Sequence, residues 1–306
     1  MDLDTLIVAV YCLVDELMGE SLPQGEKLRR RGPDPELDDR EVLTMEIVGE
    51  FLGIGTDKGL YAYFRRHYGE WFPTLLKVHR TTFSRQAANL WILKEKLWQG
   101  LLSSEELFGE GSAEVCIVDS FPMPVCQKAR SHRCKVMADL ADYGRDQTSG
   151  GFFYGMRAHL LVAWPGVIVR AALAPANVHD LHLAERLVEG MGRGWVLADR
   201  NYWSPELAEQ LHAHEGGPWL VARYKVSKKE KEKGLRWPRW LVHKRRRIET
   251  LFSQLVGRWG AKKVWARDGW HLSSRFLRKV LSHTIAVYFC LKEGLSPLRF
   301  SELLVD

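Results

Sequence analysis

The chain reads as an α/β protein, a mixed five-stranded sheet flanked by helices and preceded by an all-helical amino-terminal region. Three observations predict this. Val115–Val118, Trp195–Ala198 and Trp219–Ala222 are short unbroken apolar runs, as expected of strands buried on both faces. Helical patterns alternate with them, which is the order of a layered α/β fold. Before residue 110, apolar residues recur only at helical spacing. The expected organisation is therefore a helical domain over 1–110 and an α/β domain over 111–306.

In chain order, residues 1–18 read as a helix. A polar stretch with three prolines and the cluster Arg29-Arg30-Arg31 follows, and reads as a loop or arm. From Asp39 to Leu52 the residues Val42, Met45, Ile47, Val48, Phe51 and Leu52 mark a helix that Gly53 closes. Thr56 starts the next helix, Asp57 to Tyr68, whose end carries Arg65, Arg66 and His67. Thr81 is a candidate cap for a third, Thr82 to Leu102. Three helices with short connections suit a helix-turn-helix arrangement, and the third would present Ser84, Arg85, Gln86 and Asn89 to DNA. A helical packing domain with ordinary polar faces fits the same pattern.

In the second region, Tyr154–Trp164 and Val167–Leu173 read as two strands joined by the turn signal Pro165-Gly166. Asp180–Val188 reads as a helix, with Asp180 its simplest N-cap. Ser204-Pro205 opens another, Glu206–His212, with proline at the first helical position. Leu241–Trp259 and Leu272–Leu291 complete the helices.

The chain has 306 residues, 46% of them hydrophobic, an ordinary fraction for a globular protein. Its net charge of +6 and pI near 9.0 favour a polyanionic partner such as nucleic acid, or simply a solvated basic surface. The five cysteines are odd in number, and three lie in apolar runs, so the pattern speaks for a reducing compartment. Acid at Asp2 and Asp4 is unlike a signal peptide, and the run Leu6–Val14 is too short to span a bilayer. A cytoplasmic protein without a membrane segment is expected.

Two strands share one feature. Val115-Cys116-Ile117-Val118 ends in Asp119, and Trp195-Val196-Leu197-Ala198 ends in Asp199. A carboxylate at the end of a buried strand is costly to desolvate unless paired or metal-bound. Ligands of α/β sheets gather at the carboxyl ends of strands. One such Asp is readily a turn cap, but two matching cases point to a site. A third acid, Glu249, falls at the edge of the apolar face formed by Leu241, Ile248, Phe252, Leu255 and Trp259, one turn after Arg245. The plainer alternative for it is a surface Arg–Glu pair. Three carboxylates suit hard, oxygen-seeking cations, Mg²⁺ or Mn²⁺, rather than zinc. Two such ions about 4 Å apart serve phosphodiester chemistry.

A basic tract precedes Glu249. Arg223 to Arg247 holds twelve Lys or Arg and two Glu, with Trp237 and Trp240 among them. Lys228–Lys233 looks like a solvated loop, whereas Lys244, Arg245, Arg246 and Arg247 are placed to meet DNA phosphates. Cys126, His132 and Cys134 offer three zinc ligands without a fourth nearby. Ser149-Gly150-Gly151 lacks the spacing of a phosphate loop.

The chain resembles the DDE transposases of bacterial insertion sequences over nearly its whole length. The resemblance rests on Ile117-Val118-Asp119-Ser120, Phe153-Tyr154-Gly155 to Leu161, Asn177-Val178-His179-Asp180, Leu197-Ala198-Asp199 to Tyr202, and Arg245 to Leu255 around Ile248-Glu249-Thr250. Glu50–Tyr68 and His79-Arg80-Thr81 resemble the family's amino-terminal region. The resemblance implies a ribonuclease H-like catalytic fold over 111–306 and a DNA-binding helical domain over 1–110. It implies Asp119, Asp199 and Glu249 as a triad holding Mg²⁺ (or Mn²⁺), as two ions, with cleavage at element ends and strand transfer into target DNA. Arg245 matches the arginine of a Tyr–Arg–Glu signature. Three positions depart from the pattern: Val242 stands at its tyrosine, Val256 where lysine is expected, and Asn201 where some relatives have glycine. The short gap between Asp199 and Glu249 leaves little room for a large insertion domain. The expected partners are terminal inverted repeats and target DNA, bound by a homodimer. A metal-dependent nuclease of the same fold and a catalytically silent DNA-binding regulator are the alternatives.

Overall fold

The computed structural model describes residues 1–22, 33–108, 114–146, 150–202, 204–213, 216–222, 239–263 and 265–304, with the side chains of Arg200 and Val242 set aside. The cluster Arg29–Arg31, the tract 223–238 with Trp237, Ser149 and the Val242 departure lie outside the described residues. The chain divides into two units, Met1–Leu107 with Leu255–Asp306, and Phe108–Gln254. The first boundary falls close to residue 110. The second was not expected: the last part of 111–306 packs with the amino-terminal helices.

The helical unit contains α1 (Leu3–Ser21), α2 (Asp39–Phe51), α3 (Asp57–His67), α4 (Arg80–Asn89) and α5 (Trp91–Leu101). Asp2, Asp38 and Thr56 cap the first three by accepting backbone N–H bonds from Thr5, Arg40 and Gly59. Gly53 ends α2 with φ +72°, as its position predicts. The expected helix Thr82–Leu102 is broken at Leu90 into α4 and α5, and His79 rather than Thr81 caps α4. The carboxy-terminal helix Gly269–Lys292 packs against α2, α4 and α5. Its Val280, Ile285, Ala286 and Val287 are wholly buried. Charge is buried there too. Arg278 Nε donates to Glu50 Oε1 (2.6 Å) and its Nη1 to Asp57 Oδ1 (3.2 Å). Lys94 Nζ lies 2.7 Å from Glu46 Oε2 and also donates to Ser274 Oγ (2.8 Å).

The second unit is built on a six-stranded mixed sheet: β1 (Val115–Cys126), β2 (Asp142–Arg145), β3 (Phe152–Ala163), β4 (Val167–Pro175), β5 (Trp195–Ala198) and β6 (Trp219–Ala222). β3 pairs antiparallel with β1 on one side, and with β2 and β4 on the other. β5 pairs parallel with β1, and β6 parallel with β5. β2 is the strand the sequence pattern does not announce. The helices are α6 (Asp180–Val188), α7 (Pro205–Ala213) and α8 (Arg239–Ser253), and the carboxy-terminal helix Gly269–Lys292 of the other unit is α9. Gln254–Arg258 forms a π turn, so the expected helix to Trp259 loses its regular pitch after Ser253.

Strand alternation sorts the sheet residues into two faces. Cys116, Val118, Leu161, Val196 and Ala198 form one core with Ala184 and Leu187 of α6 and Leu207 and Leu211 of α7. Ile117, Asp119 and Phe121 point the other way, where α8 packs and Phe252 meets Phe121 edge-on at 5.1 Å. Among the described residues, no helix is long and apolar enough to cross a membrane.

Candidate active site

β1 and β5 run side by side, with Cys116 opposite Val196 and Ile117 opposite Leu197. Continuing that register by two residues sets Asp119 beside Asp199, both on the α8 face. Neighbouring strands lie about 4.8 Å apart, so the two carboxylates leave the backbone as neighbours. Each is held by the backbone just after it. The N–H of Ser120 donates to Asp119 Oδ1 (2.8 Å), and that of Asn201 to Asp199 Oδ1 (2.8 Å). The second contact uses the main chain, which asparagine provides as readily as glycine.

α8 crosses this face. Arg245 Nη2 donates to Asp119 Oδ2 at 3.3 Å. The Asp119 side chain is 17% exposed and that of Arg245 22%, so the pair is half-buried. Glu249, one turn further, is exposed and lines a cavity of about 270 Å³ with Leu197, Ala198, Arg245 and Arg246. The helix therefore carries Glu249 over the strand that ends in Asp199.

Burial is the main force raising the Asp119 carboxyl, to about 6. Arg245 opposes the rise and the neighbouring Asp199 adds to it. Two acids brought together on a desolvated face need positive charge, and Arg245 supplies part of it. The donor set is all oxygen, which suits Mg²⁺ or Mn²⁺ by chemistry. The third carboxylate does not close on the first two. Among the described residues, no group of three His, Cys, Asp or Glu side chains is near enough to hold an ion. The same holds for Cys126, His132 and Cys134.

The other expected contacts divide. Lys244 Nζ lies 3.6 Å from the Trp164 ring centroid, and the Arg247 guanidinium carbon 5.2 Å from it. Arg246 and Arg85 are exposed, and Trp240 is 57% exposed. Gln86 cannot read DNA in this fold. It is buried, and its Nε2 donates to the Leu37 carbonyl (2.8 Å) and to Asp39 Oδ1 (2.7 Å), so it ties α4 to the start of α2. Helical periodicity alone did not distinguish that inward position from its exposed neighbour Arg85.

Sequence reasoning also missed a polar cluster on the opposite face of β1. Asp180 is not the cap of α6. His179 takes that role by accepting from the N–H of Leu181 (3.2 Å), which frees Asp180 to turn inward. Ser120 Oγ donates to Asp180 Oδ1 (3.1 Å), and Arg157 Nη1 donates to Ser120 Oγ (3.3 Å). His159 is wholly buried alongside, and burial pulls its pKa down to about 4 against the attraction of Asp180. The available signal was that Ser120 sits directly after Asp119, on the alternate face of its strand.

Residues 110–259 match the family model described as the transposase DDE domain. No curated protein sequence matches the chain. Among solved structures, the cryo-EM synaptic complex of piggyBac transposase with hairpin DNA is similar over 99% of this chain and 79% of that one. The identity is 10% and the TM-score 0.45. The matched segment 110–259 contains Asp119, Asp199 and Glu249 and ends one residue beyond the π turn, and on that match the chain carries a transposase DDE domain over 110–259.

Proposed function

We propose that this chain is the transposase of a bacterial insertion sequence, cutting DNA at the element's ends and joining them to target DNA in the cytoplasm. Asp119 and Asp199, with Glu249 on the helix over them, are the residues that would hold the metal, Mg²⁺ or Mn²⁺, as two ions. The observation that carries this reading is the shared register of Asp119 and Asp199 on parallel neighbours, beneath the helix bearing Arg245 and Glu249. When bound, two such ions activate the attacking oxygen and steady the leaving oxygen of an in-line displacement. The protein's own part is positioning and charge. Arg245 offsets part of the Asp119 charge from α8. Arg246, with Lys244 and Arg247 beside Trp164, offers positive charge to the DNA backbone next to the acids. The helical unit, with Arg85 on its exposed surface, binds the terminal inverted repeats, and two copies pair the element's ends as a homodimer.

Asp199→Ala tests the assignment. End-containing DNA should be bound nearly as by the parent protein, with cleavage abolished at every Mg²⁺ concentration. Persistent nicking by purified Asp199→Ala would remove Asp199 from the triad. Precleaved ends supplied to the parent protein should be joined to target DNA, and cutting without joining would identify a nuclease instead.

A further inference from the structure

We infer that Asp180 is a positioning residue for the acidic site, acting through Ser120 and Arg157 to fix the part of β1 that presents Asp119. The inference rests on the metal-site reading above and goes beyond it to the support beneath the first carboxylate.

The connection is continuous in hydrogen bonds. Asp180 Oδ1, at the start of α6, accepts from Ser120 Oγ (3.1 Å). The backbone N–H of that same Ser120 donates to Asp119 Oδ1 (2.8 Å). Ser120 therefore faces two ways: its hydroxyl reaches α6 on one face, and its N–H holds the carboxylate on the other. Arg157 closes the lower side. Its Nη1 donates to Ser120 Oγ (3.3 Å), its Nε lies 3.6 Å from Asp180 Oδ1, and its Nη2 donates to the Arg145 carbonyl of β2 (2.8 Å). His159 Nδ1 stands 3.8 Å from Asp180 Oδ1, and Tyr202, three residues past Asp199, is wholly buried in the same core.

Geometry decides what this does. With Oδ1 of Asp119 held by a backbone donor, Oδ2 is the oxygen turned toward Arg245 and left for an incoming cation. If the peptide at Ser120 tips, Oδ1 loses its donor and the carboxylate rotates away from Asp199. A buried acid paired with Arg157 is a costly way to anchor a strand if anchoring is all it does. A chain of directional bonds ending on the carboxylate also sets its orientation, which apolar packing would not.

The test separates orientation from simple stability. Mn²⁺ is titrated into the full-length protein without DNA, and binding is followed by the rise in melting temperature it causes. Ser120→Ala removes only the hydroxyl link, and Asp180→Asn keeps the shape and loses the charge. Ser120→Ala should melt within about 3 °C of the parent without metal, a shift on the order of 1 kcal/mol for a chain of this length, whereas Asp180→Asn strands Arg157 and should melt lower. Both should need roughly tenfold more Mn²⁺ for half the rise, a loss of about 1.4 kcal/mol in ion binding. End cleavage should fall at low Mn²⁺ and recover at high Mn²⁺, with the KM for DNA unchanged. A parental Mn²⁺ midpoint in folded Ser120→Ala overturns the positioning role. If Asp180→Asn does not fold, Ser120→Ala alone decides. Asp199→Ala is the reference: if it loses the Mn²⁺ response while Ser120→Ala keeps it, only the positioning role falls. If Asp199→Ala responds like the parent, the metal-site reading falls and this inference with it.

Discussion

Asp119 shows how a single residue can be set against the stability of its own fold. Its folded pKa of about 6 stands above the ordinary carboxyl value of 3.8, chiefly through burial. The proton-bound form is favoured in the folded state, so that contribution is fully present below the unfolded pKa and is lost as pH rises through about 6. At pH 8 the ionised side chain is a burden that Arg245 only partly relieves. Asp119→Asn should therefore raise metal-free stability at pH 8 by about 1–3 kcal/mol. The gain should vanish below pH 4, and cleavage should be lost. Melting curves from pH 4 to pH 8 check this, and a lower melting temperature for the variant at pH 8 contradicts it. The position of Asp119 was legible because an acid ending an apolar tetrapeptide is conspicuous, and its neighbour Asp199 repeats the pattern. The inward turn of Asp180 was not, because it depends on His179 taking over the cap. That substitution of roles is decided by the packing of α6 on β1 and β3 and leaves no mark in the local sequence.

At the level of elements, apolar patterning located the strands and helices that carry large side chains, and failed where tertiary contacts override it. The bounds of α6, β5 and β6 agree with the apolar runs that announce them. β2, Asp142–Arg145, has no apolar alternation and exists because β3 offers it an edge, with Asn177 Nδ2 donating to Asp142 Oδ2 (2.7 Å). The break between α4 and α5 at Leu90 lies next to a carbonyl, that of Ala87, that accepts from Lys94 Nζ (2.9 Å) and Ser274 Oγ (3.0 Å). α9 is the clearest case. Its basic residues Arg278 and Lys279 are both buried, against Glu46, Glu50 and Asp57. Arg278→Met leaves those acids short of one charge in the interior. Unfolding in urea should show a loss of about 3–5 kcal/mol. A loss below about 1 kcal/mol, the size of an exposed pair, would mean that these acids are not held by Arg278.

For the molecule as a whole, the division of the chain departs most from a linear reading. A border near residue 110 was visible as a change of texture, from helical spacing to strand-like runs. The return of residues 255–306 to the first unit was not visible, because α9 follows α8 in sequence order and its apolar pattern does not say which unit it covers. This division makes a direct prediction. A fragment of residues 1–107 should lack a cooperative thermal transition, since the apolar side of α5 and α2 would lose α9. Joining 1–107 to 255–306 through a short flexible linker should restore one, as read by circular dichroism. A cooperative melt of 1–107 alone would contradict the prediction. The helical unit also ties its two sequence segments together near their outer ends, where the Met1 ammonium donates to the Leu303 carbonyl (2.7 Å). Birth on the ribosome then has a set order. The sheet, with both aspartates and the helix over them, is made in full while the helical unit is still missing the piece that completes it. A nascent chain can thus carry Asp119, Asp199 and Glu249 before it carries a finished helical unit.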